Sequence, residues 1–268
     1  MSKVFLIDVA KCSGCYNCQL ACKDEHCEND WTPYAAPQPL TGHFWCKVTE
    51  HVQGTIPKVK IHYIAKMCAH CEDMPCKIAD ATGAIYRRGD GFVLIDPEKA
   101  KGQKQLVDAC PYGAIYWNEA LELPQKCTGC AHLLDNGAKL PRCVEACPTD
   151  AIVFGEESEL AEQLEGAGPL HPGGKIYYKN IPGEFVGGTV YDPVEKEVVI
   201  GAQCVLSGEG KTFSVKTDSY GDFWFRDLPK NGVYSLTITA SGFEKKTFVN
   251  ISTEKSVNLD DIPLDRAQ

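Results

Sequence analysis

No stretch of the 268 residues approaches the apolar run of roughly 18 to 20 residues that a membrane-crossing helix needs. A basic excess is missing too. The chain sets 27 lysines and arginines against 36 acidic residues, a net charge of −9, which excludes the cationic face a nucleic-acid partner requires. The opening "MSKVFLIDVAKCSGC" holds no basic segment leading into an apolar one and no twin arginine. No export signal or membrane anchor is therefore expected, and the expected location is cytoplasmic. GxSxG, HExxH and P-loop signatures are lacking, and neither Gly173–Gly174 nor "GEG" at 208–210 has a nucleotide-binding context. No catalytic residue is assigned, and substrate chemistry is expected on another polypeptide.

Cysteine, by contrast, is abundant: fifteen, of which fourteen precede residue 148. A disulfide framework suits small secreted chains, and this chain is neither short nor visibly secreted. Structural zinc wants closed pairs of pairs, whereas iron–sulfur clusters want a tight triplet plus a distant fourth thiolate. Cys12, Cys15, Cys18 and Cys22 form C-x2-C-x2-C-x3-C. The first three grip three corners of a cubane, and the fourth faces away toward another cluster. A zinc site has no use for that fourth residue.

A second group, Cys68, Cys71 and Cys76, is spaced C-x2-C-x4-C, and a third, Cys127, Cys130, Cys143 and Cys147, is spaced C-x2-C-x12-C-x3-C and closed by Pro148. Alone, the third group also fits zinc. Beside the first it becomes a ferredoxin partner, each triplet borrowing its fourth ligand from the other's tail. Crossing gives one [4Fe–4S] cluster on Cys12, Cys15, Cys18 and Cys147, and a second on Cys22, Cys127, Cys130 and Cys143. A third falls on Cys68, Cys71, Cys76 and Cys110, the last followed by Pro111. The bland alternative is that Cys110 is a small buried packing residue.

Counting back from Cys110, the partner loop would need cysteine at Ala100, Gln103 and Leu106, and the second group's own tail falls at Asp80. Those four positions would together have held one cluster. Three clusters are therefore expected, with a fourth site removed whole. Cys27, Cys46 and Cys204 are left over as isolated packing residues. His26, His70 and His132 are expected to support the cluster loops rather than ligate. Lys11, Lys66 and Lys126 are placed to offset cluster charge.

The pattern predicts an α+β protein: a duplicated ferredoxin-like domain over residues 1–155, a connector over 156–184 and an antiparallel β-sandwich over 185–268. Strands are expected in "KVFLIDVAKC", "AIYR", "GFVLID", "AIYW" and "AIVFGE", with a helix from about Pro97 to Ala109 filling the lost site. Residues 31–66, rich in proline and aromatics, read as an inserted covering loop, and "ESELAEQLEGAG" as a short helix. Beyond about residue 185 a period of two gives seven short strands. The stretch "TDSYGDFWFRDLPKNGVYSLTITASG" resembles the carboxypeptidase-regulatory-like or transthyretin-like sandwich family.

Residues 1–155, with their cysteine groups, resemble the iron–sulfur subunit of molybdopterin oxidoreductases of the dimethyl sulfoxide reductase superfamily, which usually carries four clusters. "DVAKCSGCYNC", "CPYGAIYWNE" and "KCTGCAHLLD", with the missing cluster and the terminal sandwich, carry a narrower likeness to small subunits of that superfamily's transhydroxylases. The resemblance implies a large catalytic subunit holding molybdenum or tungsten on two molybdopterin guanine dinucleotides. It implies that the cluster of the first triplet lies nearest that metal, and that the missing one is farthest away, where relatives face a membrane anchor. Two other functions stay open: the electron-transfer subunit of a conventional reductase or dehydroxylase, and a freestanding ferredoxin-like carrier.

Overall fold

Val4, Phe5, Leu6 and Ile7 are each at most 1% exposed, a strand covered on both faces. In the computed structural model, which describes residues 2–267, this strand (Lys3–Asp8) sits inside a four-stranded sheet. Ile152–Glu156 pairs antiparallel to one edge of it and Ile176–Lys179 parallel to the other, followed by Gly168–Pro169. The stretch 156–184 thus contributes two strands of this sheet. "ESELAEQLEGAG" forms successive turns rather than the expected helix. Within it Leu160 alone is fully buried, so no apolar stripe at helical spacing holds a helix down.

Two short antiparallel hairpins follow the middle cysteine groups, Ile85–Arg87 with Val93–Ile95 and Tyr116–Asn118 with Leu123–Gln125. The expected helix over 97–109 is interrupted: Pro97–Ala100 and Gln105–Asp108 are separate, with Gly102 at φ 77° between them. The insertion is also more regular than expected. Its second half is a two-stranded ribbon, Lys47–Thr55 and Lys58–Lys66.

The chain divides into two compact units. One runs to Glu50 and resumes over His62–Ile181; the other joins His51–Ile61 to the chain from Pro182 onward. The second unit contains all seven expected strands. Lys211–Lys216, Gln203–Gly208, Val233–Thr239 and Lys246–Ser252 form one antiparallel sheet. Glu184–Asp192 pairs antiparallel with Asp222–Leu228 and with the additional strand Glu197–Val198, while Val257–Pro263 runs parallel to it, so the sandwich is not wholly antiparallel. Val186, Leu206, Phe223, Leu236 and Ile238 fill its core. Cys204 belongs to that core, where burial pushes its thiol up to about 12.

Candidate iron–sulfur sites

Each cysteine loop turns on a residue with left-handed backbone at the third place of its C-x-x-C stretch: Gly14 (φ 69°), His70 (φ 49°) and Gly129 (φ 65°). This conformation turns successive N–H groups toward one centre, a ready anion cradle. Glycine is required at two of them, because a Cβ would lie 2.6 Å from the Tyr63 ring at Gly14 and 2.7 Å from the Phe92 ring at Gly129. The fourth such residue is Gly102 (φ 77°), in the loop Ala100–Gln103 that has no cysteine. The same left-handed turn therefore recurs at Gly102 in a loop without cysteine.

The structure brings the expected thiols together across long sequence distances. Cys12, Cys15, Cys18 and Cys147 line one hollow, with Ile7, Val48, Ala65 and Ile152 around them. Cys68, Cys71, Cys76 and Cys110 line another, closed by Val93, Ile115 and Lys126. Cys22 is buried against Cys127, Cys130 and Cys143. Helix Asn17–His26 carries Cys18 and Cys22 one turn apart on one face, so a single element serves two quartets. Lys126 lines the third hollow and donates to the Cys127 carbonyl, which sets the third quartet beside the second.

The donor chemistry fits multinuclear clusters. All fifteen cysteines are free thiols. Among the described residues no three His, Cys, Asp or Glu side chains converge on one ion-sized point. Burial pushes Cys12 up, opposed by the Gly14 N–H, and Cys18, Cys147 and Cys15 push it further. Burial lifts Cys76 to about 11, opposed by Lys126 and reinforced by Cys68 and Cys110. Thiols so crowded ionise together only where a metal cation balances them. Amides already point at sulfur: Gly129 N–H to Cys127 Sγ and Ala114 N–H to Cys110 Sγ, both at 3.4 Å.

At the positions where a fourth site was expected to be missing, Ala100 and Leu106 are fully buried and Gln103 is 5% exposed. Asp80, at the position expected for the missing tail cysteine, accepts through Oδ1 from Ala84 N–H at 3.0 Å, the same four-residue step by which Ala114 N–H meets Cys110 Sγ. Gln103 Oε1 accepts from Ala81 N–H at 2.9 Å and its Nε2 donates to Lys99 O at 3.0 Å. The space is closed by protein.

The histidines are held by protein groups. His26 Nδ1 lies 2.9 Å from Cys22 O, and burial pushes its pKa down to about 4. His70 Nδ1 accepts from Val93 N–H at 3.1 Å, and burial keeps the ring well below the usual range. His132 Nε2 meets Glu25 Oε1 at 3.0 Å, with Trp31 stacked on its face. Of the three lysines, Lys11 is exposed, Lys66 half-buried and Lys126 only 3% exposed. Lys126 Nζ donates to the carbonyls of Val93 and Cys127, between the second and third quartets. Lys126→Met should make the third cluster harder to reduce, lowering its reduced fraction at fixed potential about tenfold, a 59 mV downward shift for one electron; redox titration followed by EPR reads it. Cys46, expected as a packing residue, is buried in one core with Cys18 and Cys143, a position no spacing rule could have revealed.

Two family models match: a 4Fe-4S dicluster domain over residues 59–157 and a carboxypeptidase regulatory-like domain over 186–265. With the thiol-lined hollows they define an electron-transfer iron–sulfur subunit with a terminal sandwich. The pyrogallol hydroxytransferase small subunit of Pelobacter acidigallici is 40% identical over 97% of this chain and 98% of its own. The arsenate respiratory reductase iron–sulfur subunit ArrB of a Shewanella species is 38% identical over 43% of this chain and 44% of its own. One subunit of the anaerobic dimethyl sulfoxide reductase of Escherichia coli is 36% identical over 52% of this chain and 66% of its own. The protein belongs to this family of iron–sulfur subunits, and its likeness to the hydroxytransferase small subunit runs from end to end. Among the described residues no helix is long and apolar enough to cross a membrane.

Proposed function

We propose that the three thiol quartets hold three [4Fe–4S] clusters, and that the chain is the small subunit of a cytoplasmic molybdopterin enzyme acting on phenols in the manner of a pyrogallol hydroxytransferase. The full-length match at 40% identity carries this reading, because it includes the sandwich as well as the cluster domain. The large partner is proposed to hold molybdenum or tungsten on two molybdopterin guanine dinucleotides. Fifteen free thiols suit a reducing compartment.

Bound clusters supply one-electron transfer, with four thiolates per cluster and no open coordination position. The chain's own residues do the rest. Cys18 and Cys22 fix the spacing of the first two sites through one helical turn. Buried Val48, Ala65, Val93 and Ile115 keep water from the sulfurs. Asp80 and Gln103 close the relay after the third site, in keeping with an enzyme that has no membrane-bound electron partner to serve.

Anaerobic purification should give this chain together with a much larger one, with molybdenum or tungsten in the complex. Hydroxyl exchange between phenols should proceed without an added reductant. A strict requirement for an external donor would instead favour a conventional reductase, the activity named for the shorter-range relatives from Shewanella and Escherichia coli. Elution of this chain alone near 29.4 kDa would favour a freestanding carrier.

A further inference from the structure

His70 stands at the third place of its C-x-x-C loop, where the other two cysteine loops have Gly14 and Gly129. Its backbone is left-handed like theirs, at φ 49°, a conformation that glycine takes freely and histidine holds only under constraint. The ring is 0% exposed and lies against Phe92, with ring centroids 4.7 Å apart. The hairpin of Ile85–Arg87 with Val93–Ile95 sets its tautomer. Arg88 N–H donates to Phe92 O at 2.8 Å and Asp96 N–H to Ala84 O at 2.9 Å, so the ladder bonds fall on alternate pairs that include 88–92 and 84–96. Arg87 and Val93 oppose each other between those pairs, without ladder bonds, and Val93 turns its N–H and C=O outward. His70 Nδ1 accepts from that N–H at 3.1 Å. The carbonyl, 3.2 Å from the same nitrogen, already accepts from Lys126 Nζ. A ring nitrogen that accepts carries no proton, so the imidazole proton is on Nε2. Nε2 has no hydrogen-bond partner among the described residues, and the ring lines the hollow of Cys68, Cys71, Cys76 and Cys110.

We infer that His70 donates its Nε2–H to a sulfur of the third cluster, and that this hydrogen bond raises the cluster's reduction potential. The inference rests on the assignment of that quartet to a cluster. A buried N–H left unpaired is costly, so the filled hollow must supply it with an acceptor. The four thiols bring sulfur acceptors to the hollow. Lys126, on the same wall, can only donate, and Pro75, Val93, Ala114 and Ile115 offer apolar surface. A donor to cluster sulfur stabilises the reduced state, which carries one more negative charge, and such hydrogen bonds are among the levers that set cluster potentials. Gly14 and Gly129 have no side chain to give, so at this place in the loop the third cluster alone receives a donor.

The test uses the anaerobically purified holoprotein, its partner subunit retained, and compares wild type with His70→Leu and His70→Gln. Both variants lose the ring nitrogen to which Val93 N–H donates, so a purely structural effect is common to them. Only Gln keeps an N–H donor at the reach of Nε2. In a potentiometric EPR titration His70→Leu should lower the reduced fraction of the third cluster at fixed potential about three- to tenfold, a downward shift of about 30–60 mV for one electron. The first two clusters should not move. His70→Gln should recover part of the shift. Histidine labelled with nitrogen-15 in its ring should give the reduced third cluster a nitrogen coupling in pulsed EPR, and His70→Leu should abolish it. An unmoved third potential in His70→Leu would overturn the inference, as would equal shifts in the two variants or no such coupling in wild type. If both variants lose the third cluster, the wild-type coupling alone decides. Fewer than three clusters in wild type would instead overturn the cluster assignment itself, a separate result.

Discussion

Cys22→Ser should empty the site built by Cys127, Cys130 and Cys143 and leave the loop of Cys12, Cys15 and Cys18, its sequence neighbours, fully loaded. Iron should fall by one third in the variant, because one of three equal clusters is lost. Double variants separate the crossed arrangement from an uncrossed one. Residues that serve one site are non-additive, whereas residues serving different sites add. Cys22→Ser with Cys127→Ser should therefore lose no more iron than either alone. Cys22→Ser with Cys12→Ser should lose two thirds. Cys110→Ser should remove the third cluster alone, and combining it with Cys76→Ser should change nothing further. The structural basis is the burial of Cys22 against Cys127, Cys130 and Cys143, and the hollow that Cys110 shares with Cys68, Cys71 and Cys76. Iron analysis per folded protein decides the matter, and additive loss for Cys22 with Cys127 would end the crossed scheme.

The cysteine constellation was legible because spacing and ligand geometry are two forms of one constraint. Three thiols around a cube need a loop of fixed length, and the fourth must come from elsewhere. Cys110 followed by Pro111 could be placed for that reason. The strands of the sandwich were legible through their period of two, which follows from burying one face. Other features rest on contacts that leave no local pattern. Cys46 has no spaced partner, and only the folding of the 31–66 segment buries it in one core with Cys18 and Cys143. The ribbon Lys47–Lys66 was obscured by the prolines and aromatics just before it and by its own irregular pattern, with Val52 and Ile61 exposed. Gly102 was a missed signal. It stands at the same place in its loop as Gly14 and Gly129, and a glycine there argues for a preserved turn rather than one continuous helix. The turns over 157–168 show the reverse error: helix-forming residues without a buried stripe do not make a helix.

Asp80→Ala should loosen the removed cluster site more than any other single change there. The carboxylate is the centre of that closed space: Oδ1 accepts from Thr82 N–H at 3.2 Å and Ala84 N–H at 3.0 Å, and Oδ2 from Ile85 N–H at 2.7 Å. Alanine leaves three amides without their acceptor at the start of strand Ile85–Arg87. Losing hydrogen bonds to a charged group costs about 1.5–3 kcal/mol, so the protection of the Ala84 and Ile85 amides against hydrogen exchange should fall on the order of a hundredfold. Burial acts to raise the Asp80 pKa, but the N–H groups of Ile85, Ala84 and Thr82, with Gln103, outweigh it and hold the carboxyl below its usual value. A carboxyl depressed in the folded state stabilises above its unfolded pKa of about 3.9, and that contribution fades as pH falls through the lower folded value. The difference between wild type and Asp80→Ala should therefore be full at pH 7 and shrink below about pH 4. Asp80→Asn, which keeps one acceptor oxygen, should fall between them at pH 7 and lose the pH dependence. Equal protection of Ala84 and Ile85 in wild type and Asp80→Ala would show that the carboxylate does not hold this space closed.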